Sequence, residues 1–490
     1  MATALRYVTD SAGRIPLIGD DDGGQLFPIA GHTPDDVRPT LAWAATLLGR
    51  PEIALGPPPE SATWLTAALG DAEMPAEGPR PSTPNESVVL GSSGYCVSRR
   101  NDSLLVFDAG AHGFMNGGHA HADALGLTLS VGADRLLIDP GTGTYTMDPG
   151  LRDRLRSSKL HNTVTVDGRS QSVPAGPFHW ARTAGARRER AVVGATFDLF
   201  HATTDAYAPV KHERFVFATG ARSWIVADRL TGPGRHEAAV HWHIDPAWSA
   251  SSDGRGAWIL THGSGVQARL AITGATVDVS RGDERDGLGW VAPTYGRIVP
   301  GTTLRGVIAR TTPFWIVTTI DAGTPLLEPA STTRLDVLSM RVDGIACAVM
   351  TRRAGDIDVT LFRATRDRDP LTVPVGPRDT MALTTDAAAL HARFSDAGQL
   401  LRVCLAEATV FRFDGTAPVT VTCPTPIADL EVRLDAAGTP LIWTSCRRDD
   451  VCVSVEGSGL SRTKGNGPLA RQPVPAVRMP CVESPASPTR

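Results

Sequence analysis

From about residue 86 onward the chain is a long series of short apolar or alternating runs, broken by Gly, Asn and Asp, and few helical stretches interrupt it. Val88-Val89-Leu90, Gly94-Tyr95-Cys96-Val97 and Leu104-Leu105-Val106-Phe107 are predicted strands. Leu125 to Val131 alternates, turns at Gly132-Ala133-Asp134 and returns as Leu136-Leu137-Ile138-Asp139. Asn162 to Val166 ends in Asp167-Gly168, a strong hairpin signal. The pattern continues through Arg214–Phe217, Ser223–Asp228, Ala239–His243 and Phe314–Thr318. Many strands at short spacing need two apolar faces to cover one another. The predicted fold is therefore mostly β, a large antiparallel β-sandwich preceded by a short, truncated α-helical segment.

That segment spans residues 1–80. Asp35 or Asp36 is placed to cap a helix through Val37, Leu41, Ala44, Ala45 and Leu48, ended by Gly49 and Pro51. Ser61 is placed to cap a second one holding Trp64, Leu65, Ala68 and Leu69. Two or three amphipathic helices cannot bury their stripes alone, so they must pack on the following domain or belong to a longer helical one. Pro75 to Pro84 reads as a linker. The expected organisation is 1–80 helical plus linker, 81–350 the sandwich, 351–456 a further β-rich part and 457–490 a disordered, Pro- and Ser-rich tail.

Hydrophobic residues at 42%, charged residues at 20% and a net charge of -4 leave no basic domain for nucleic acid. No stretch approaches the ~20 apolar residues of a membrane span. The seven cysteines are scattered without a CxxC pair and read as buried thiols, with Cys446 and Cys452 close enough in sequence for a disulfide. Met1–Tyr7 has no charged stretch leading into an apolar core, so it is not a secretory signal. Two readings follow: an intracellular protein, or a start inside a longer reading frame.

The chemistry concentrates in Gly117-Gly118-His119-Ala120-His121-Ala122-Asp123, with Ile138-Asp139-Pro140-Gly141 and Leu160-His161-Asn162-Thr163 downstream. On an extended strand His119, His121 and Asp123 project from one face, and imidazole and carboxylate are ligand types that suit zinc. All three as ligands is the simplest reading. Ligands from separate strands, His121, Asp139 and His161, would tie the sheet together and are preferred. The adjacent Gly117, Gly118, Gly141 and Gly143 allow sharp turns and close backbone approach. His241-Trp242-His243 also has the i, i+2 spacing but no third ligand nearby, and reads as a sheet face. Asp20-Asp21-Asp22 lacks the other ligands of a calcium loop and reads as an acidic turn.

The segment from Gly94 to Trp180 resembles the heparinase II/III-like family of polysaccharide lyases. The residues that carry the resemblance are Gly118–Asp123, Ile138–Thr142, Tyr145, Arg156-Ser157, His161–Gly168, Gln171 and Gly176–Trp180. It continues more weakly to Tyr295-Gly296, and Ile18–Gly23 looks like the end of that family's helical domain. The resemblance implies an α/α-toroid joined to an antiparallel β-sandwich, and cleavage of uronate-containing polysaccharide by β-elimination. It implies that His119 acts on substrate, that Tyr145 is a second catalytic group, and that His121, Asp139 and His161 hold a largely structural zinc ion. It also implies a cell-envelope or secreted location and is compatible with a homodimer. An asparagine or histidine and a tyrosine that the family takes from the toroid have no counterpart here, where the early tyrosine is Tyr7.

Around this site, Arg154 and Arg156 are candidates for bidentate contact with a uronate carboxylate. His179 and Trp180 are candidates for sugar stacking. The leading expectation is a lyase acting on an acidic polysaccharide of heparan sulfate, alginate or exopolysaccharide type. A non-catalytic carbohydrate-binding protein and a hydrolytic metalloenzyme are the alternatives.

Overall fold

The computed structural model describes residues 1–24, 33–56, 59, 60, 64, 67, 68, 86–323 apart from 101, 220, 221 and 286, 335–342, 345–353, 356–375, 381–444 and 451–455. Three large antiparallel sheets account for nearly all of it. The first has nine strands, running from Val88–Val89 through Tyr95–Arg100, Ser103–Asp108, Leu127–Val131 and Asp134–Leu137 to Arg235–Ile244, Thr302–Thr311 and Thr276–Arg281, with Val164–Val166 also on Arg235–Ile244. The second has eight strands, with Phe314–Gly323, Ser223–Thr231, Val210–Thr219 and Phe197–Tyr207 at its centre. These two sheets close over one apolar core that includes Phe107, Leu129, Leu137, Val240 and Trp242 from the first and Phe200, Val216, Trp224, Val226 and Ile316 from the second.

The second sheet is covered on both faces. Phe215, Phe217, Ile225, Ala227 and Trp315, which alternate with the residues just named, pack against Cys347, Val349, Phe362 and Cys404 of the third sheet. This explains why its strands read as continuous apolar runs rather than as an in–out alternation. The third sheet, of ten strands, holds a further core of its own, including Val359, Leu390, Phe394 and Phe411. Strands Leu335–Val342 and Ala346–Arg353 belong to this third sheet. The third sheet therefore includes strands on both sides of the division expected at residue 350.

The N-terminal segment supplies helices Ala2–Tyr7 and Arg38–Leu48, and Gly49 ends the second in a left-handed conformation with φ of 60°. The helix starts after Val37, while Asp36 accepts from the Arg38 amide. Val8 and Ile18 pack on Val97, Leu104 and Val106, on the outer face of the first sheet. The segment thus finds its apolar partner in the following domain. Of the expected helix after Ser61 the structure describes residues 64, 67 and 68, which are helical, while the linker, the tail and the Cys446 partner of Cys452 lie outside the described residues. Cys96 and Cys404 are buried free thiols, and Cys347 and Cys423 are buried as well. Among the described residues, no helix is long and apolar enough to cross a membrane.

One buried ion pair joins the second sheet to the loops of the first. Arg214 donates to both oxygens of Asp228 at 2.7 and 3.0 Å and to the carbonyls of Leu125 and Asn162 at 2.7 and 2.5 Å. His212 shares the same carboxylate at 2.7 Å. All three side chains are fully buried. Arg214→Met would leave Asp228 without its cation, and removal of one partner of a buried pair costs about 3–5 kcal/mol. Urea unfolding should show a loss of that size, and less for Arg214→Met with Asp228→Asn. A single-variant loss under about 1 kcal/mol would contradict this role.

Candidate active site and metal centre

The loop carrying His119, His121 and Asp123 is not a strand. It turns through Phe114–Gly117 and Gly117–Ala120, pairs the Ala122 amide with the Arg156 carbonyl, and turns again at Asp123–Gly126. The i, i+2 argument for a shared face therefore does not apply, and the three side chains go to different partners. Gly117 sits at a φ of 63°, and a Cβ there would lie 2.8 Å from the His112 ring and carbonyl. A side chain at this turn would be both strained and crowded.

The partner that organises the site is Asp20, read from sequence as part of an acidic turn. Its carboxylate is 1% exposed and accepts from His119 Nδ1 at 3.1 Å, His121 Nε2 at 3.0 Å and Thr142 Oγ1 at 3.2 Å. Both terminal nitrogens of Arg152 donate to it as well, Nη2 at 2.7 Å. Burial alone would raise Asp20, but hydrogen bonds from His121 and Arg152 outweigh it and hold the group at about 2. The backbone approaches as closely as the side chain: the Asp20 amide donates to the His119 carbonyl at 3.0 Å, and a Cβ on Gly19 would lie 2.9 Å from that oxygen.

A carboxylate can only accept, so in its neutral form each histidine donates its one proton to Asp20 and keeps a lone pair on its other nitrogen. For His119, whose side chain is 75% exposed, that nitrogen is Nε2. His119 lines a cleft of about 550 Å³ with Tyr95, Asp108, Phe114, Asn116 and Asp123. Asp123 is raised by burial, and Asp108 is pushed up to about 8 by burial and the Asp123 carboxylate. The two retain a proton between them near neutrality, which limits repulsion of an anion. The ring of Tyr145 lies 5.1 Å from that of Phe178, which also contacts the His119 ring at 5.5 Å. Burial first, then the carboxylates Asp20 and Asp22, push the Tyr145 hydroxyl up to about 12. It is a proton donor at neutral pH, not a base.

For His121 the free nitrogen is Nδ1, and it is buried without a partner among the described residues. His161 repeats the arrangement: Nδ1 meets Asp139 Oδ2 at 2.9 Å, and Nε2 is buried without a partner. Orphaned buried polar atoms cost on the order of 1–3 kcal/mol each. The candidate donor atoms of His121, Asp139 and His161 lie within 4.8 Å of one another. One divalent cation would satisfy the His121 nitrogen, and Asp20 on the far side of that ring is the usual way a metal-binding tautomer is held; Asp139 and His161, hydrogen-bonded to each other, would both turn to the ion as ligands. Burial would raise Asp139, but the His161 charge outweighs it and holds it low; Asp139 in turn holds His161 above its ordinary value. These residues fit a metal ion, which would replace the proton shared by His161 and Asp139.

Four residues expected at the substrate are placed otherwise. Arg156 is fully buried, donating to Asp153 and to the carbonyls of Gly176 and Pro177. Its guanidinium covers the Trp180 ring at 4.4 Å, while Trp180 Nε1 donates to the Gly117 carbonyl at 2.8 Å. Both brace the histidine loop rather than meet a sugar. Arg154 is exposed, its stem against Gly287, and His179 is exposed on the short strand His179–Arg182; neither lines the His119 cleft. The arginine that matters here is Arg152, which lies with Leu155 on the buried face of helix Pro149–Leu155. That i, i+3 pairing with Leu155 was the available sequence signal. Replacing Asp20 by Asn should release the His119 tautomer, read as a change in imidazole nitrogen chemical shifts. Shifts identical to wild type would contradict the assigned hydrogen bond.

The profile described as "Heparinase II/III-like, C-terminal" matches residues 82–332, just over half of the chain. No curated protein matches. Among solved structures, the chain is similar to heparan sulfate lyase HepC from Pedobacter heparinus at 15% identity and a TM-score of 0.54, covering 75% of this chain and 53% of that one. It is similar to heparinase III at 13% identity and a TM-score of 0.55, covering 74% and 53%. The likeness at these identities is one of fold, and the chain spans about half the length of these structures. Together with the antiparallel sheets and the clustered His121, Asp139 and His161, the matched half of the sequence places this chain in the heparinase II/III-like family.

Proposed function

We propose that this chain is the β-sandwich part of a polysaccharide lyase that cleaves a uronate-containing chain by β-elimination. The observation that carries the reading is His119: Nδ1 is anchored on Asp20, and the lone-pair nitrogen Nε2 belongs to an exposed ring on the cleft. In β-elimination a base removes the C5 proton, its electron pair forms the C4–C5 double bond, the C4–O bond breaks, and an acid protonates the departing oxygen. His119 Nε2 has the lone pair required of the base. Tyr145, held protonated beside the same Phe178, has the proton required of the acid.

Neutralisation of the uronate carboxylate is a third requirement, and the described residues lining the cleft include no arginine or lysine. The proposal assigns that role to a group from a helical domain, as the family resemblance implies. His121, Asp139 and His161 are proposed to hold zinc, chosen for its two imidazole donors and one carboxylate. Zinc there would bind the Asp139 and His161 segments to the loop of His119 and keep the base in place. His119 does not belong to that donor set, so the ion's role is structural.

Incubation of the full-length protein with heparan sulfate, alginate and other uronans should yield unsaturated uronate, detected by its ultraviolet absorbance. His119→Ala should lower the rate at least 10²-fold, in the range for loss of a general base. Tyr145→Phe should lower kcat more than it raises KM. A wild-type protein that binds these chains but gives no unsaturated product would overturn the lyase reading in favour of carbohydrate binding alone.

Metal analysis of the purified protein should find about one zinc per chain, lost in His161→Ala and retained in His119→Ala. Chelation should lower the thermal unfolding temperature of wild type but not of His161→Ala. An equal response of the two proteins to chelator would contradict the site.

A further inference from the structure

The His241-Trp242-His243 motif plays no part in the site above. Trp242 points into the core between the first two sheets, so the histidines on either side lie on the sheet's outer face. Their rings are 6.5 Å apart and nearly parallel, and burial pushes both down to about 3, which keeps them neutral. His243 is satisfied, donating from Nε2 to the Lys159 carbonyl at 3.1 Å and accepting at Nδ1 from Thr303 at 3.0 Å. His241 is 2% exposed and its Nδ1 has no partner among the described residues.

His241 lines a recess of about 260 Å³ that also presents Lys159, Arg169, Arg305, Glu237 and Thr165. Arg305 stands directly opposite His241 in the strand pairing and also contacts Asp278 at 3.0 Å. Arg169 is exposed and donates to the Tyr207 carbonyl at 3.3 Å. Cations therefore outnumber carboxylates around the opening. None of these residues lines the His119 cleft.

We infer that this recess is a second saccharide subsite, for a sugar unit carrying an oxyanion, either carboxylate or sulfate. The volume is roughly that of one sugar ring, below the usual range for larger ligands. The oxyanion is placed among Arg169, Arg305 and Lys159, where a guanidinium can bind it with two parallel hydrogen bonds. Beside the cations the recess presents the hydroxyl of Thr165, which both donates and accepts and so suits a ring hydroxyl better than a bare anion. The subsite would hold the polysaccharide away from the point of cleavage. It rests on the acidic-polysaccharide reading but not on catalysis.

The test is calorimetric titration of His119→Ala protein with a heparan sulfate tetrasaccharide, an unsulfated mannuronate tetrasaccharide and neutral cellotetraose. Arg169→Gln and His241→Phe, each added to His119→Ala, should weaken binding of at least one acidic oligosaccharide about tenfold, the effect of one hydrogen bond to a charged group. Binding of both acidic probes identifies the carboxylate as the recognised group; binding of the sulfated one alone identifies sulfate. Arg169 is exposed, so that variant should unfold at the wild-type temperature and keep the test valid if His241→Phe misfolds. Affinity unchanged by Arg169→Gln, or equal affinity for cellotetraose, would overturn the inference. A wild-type protein with no lyase product but Arg169-dependent binding would overturn the lyase reading alone.

Discussion

The site depends on a single buried carboxylate. Asp20 accepts from two histidines, one arginine and one threonine, and those four residues come from the His119 loop, the turn after Asp139 and helix Pro149–Leu155 of the β-domain. Burying an isolated carboxylate is prohibitive, and burying Arg152 alone is equally so; each makes the other tolerable. The same carboxylate decides which nitrogen of each ring keeps a lone pair. His119 therefore directs its chemistry outward, and His121 directs it inward toward Asp139 and His161. A short N-terminal segment thus sets the protonation pattern of a site built mostly of β-domain residues.

The layers behind the site keep it rigid. Because the second sheet is covered on both faces, Arg214 reaches from a fully buried strand to the carbonyls of Leu125 and Asn162, which flank the histidine loop and His161. Asn162 in turn donates to the Leu127 and Ile138 carbonyls and accepts from the His243 amide. The candidate metal ligands His161 and Asp139 are consequently held by backbone contacts that any ion would find already formed. Such preorganisation lets a modest interaction fix a histidine to within the tolerance chemistry requires.

The β architecture was legible because period-2 runs and turn residues are local signals. His121, Asp139 and His161 were legible because their residue types restrict the chemistry, whatever the path between them. Asp20 and Arg152 were not, since their partners are 99 to 132 residues away and no periodicity links them. That Arg154, Arg156 and Trp180 lie away from the His119 cleft was not legible for a related reason: an arginine's identity does not say whether its charge faces solvent or a neighbouring carbonyl. Asp123 was set apart from the metal ligands on the assumption of an extended strand, which the turns at Gly117 and Asp123 replace. That the third sheet takes in strands on both sides of residue 350 was not legible, because its first two strands read no differently from those before them.

The central claim is that two histidines separated by one residue have different tasks, His121 on a metal and His119 on substrate. A zinc-edge X-ray absorption spectrum of the His119→Ala protein tests it most directly. The account predicts the wild-type spectrum, with two imidazoles and a carboxylate oxygen about the ion. A spectrum that has lost one imidazole, or a protein that no longer holds zinc, would contradict it.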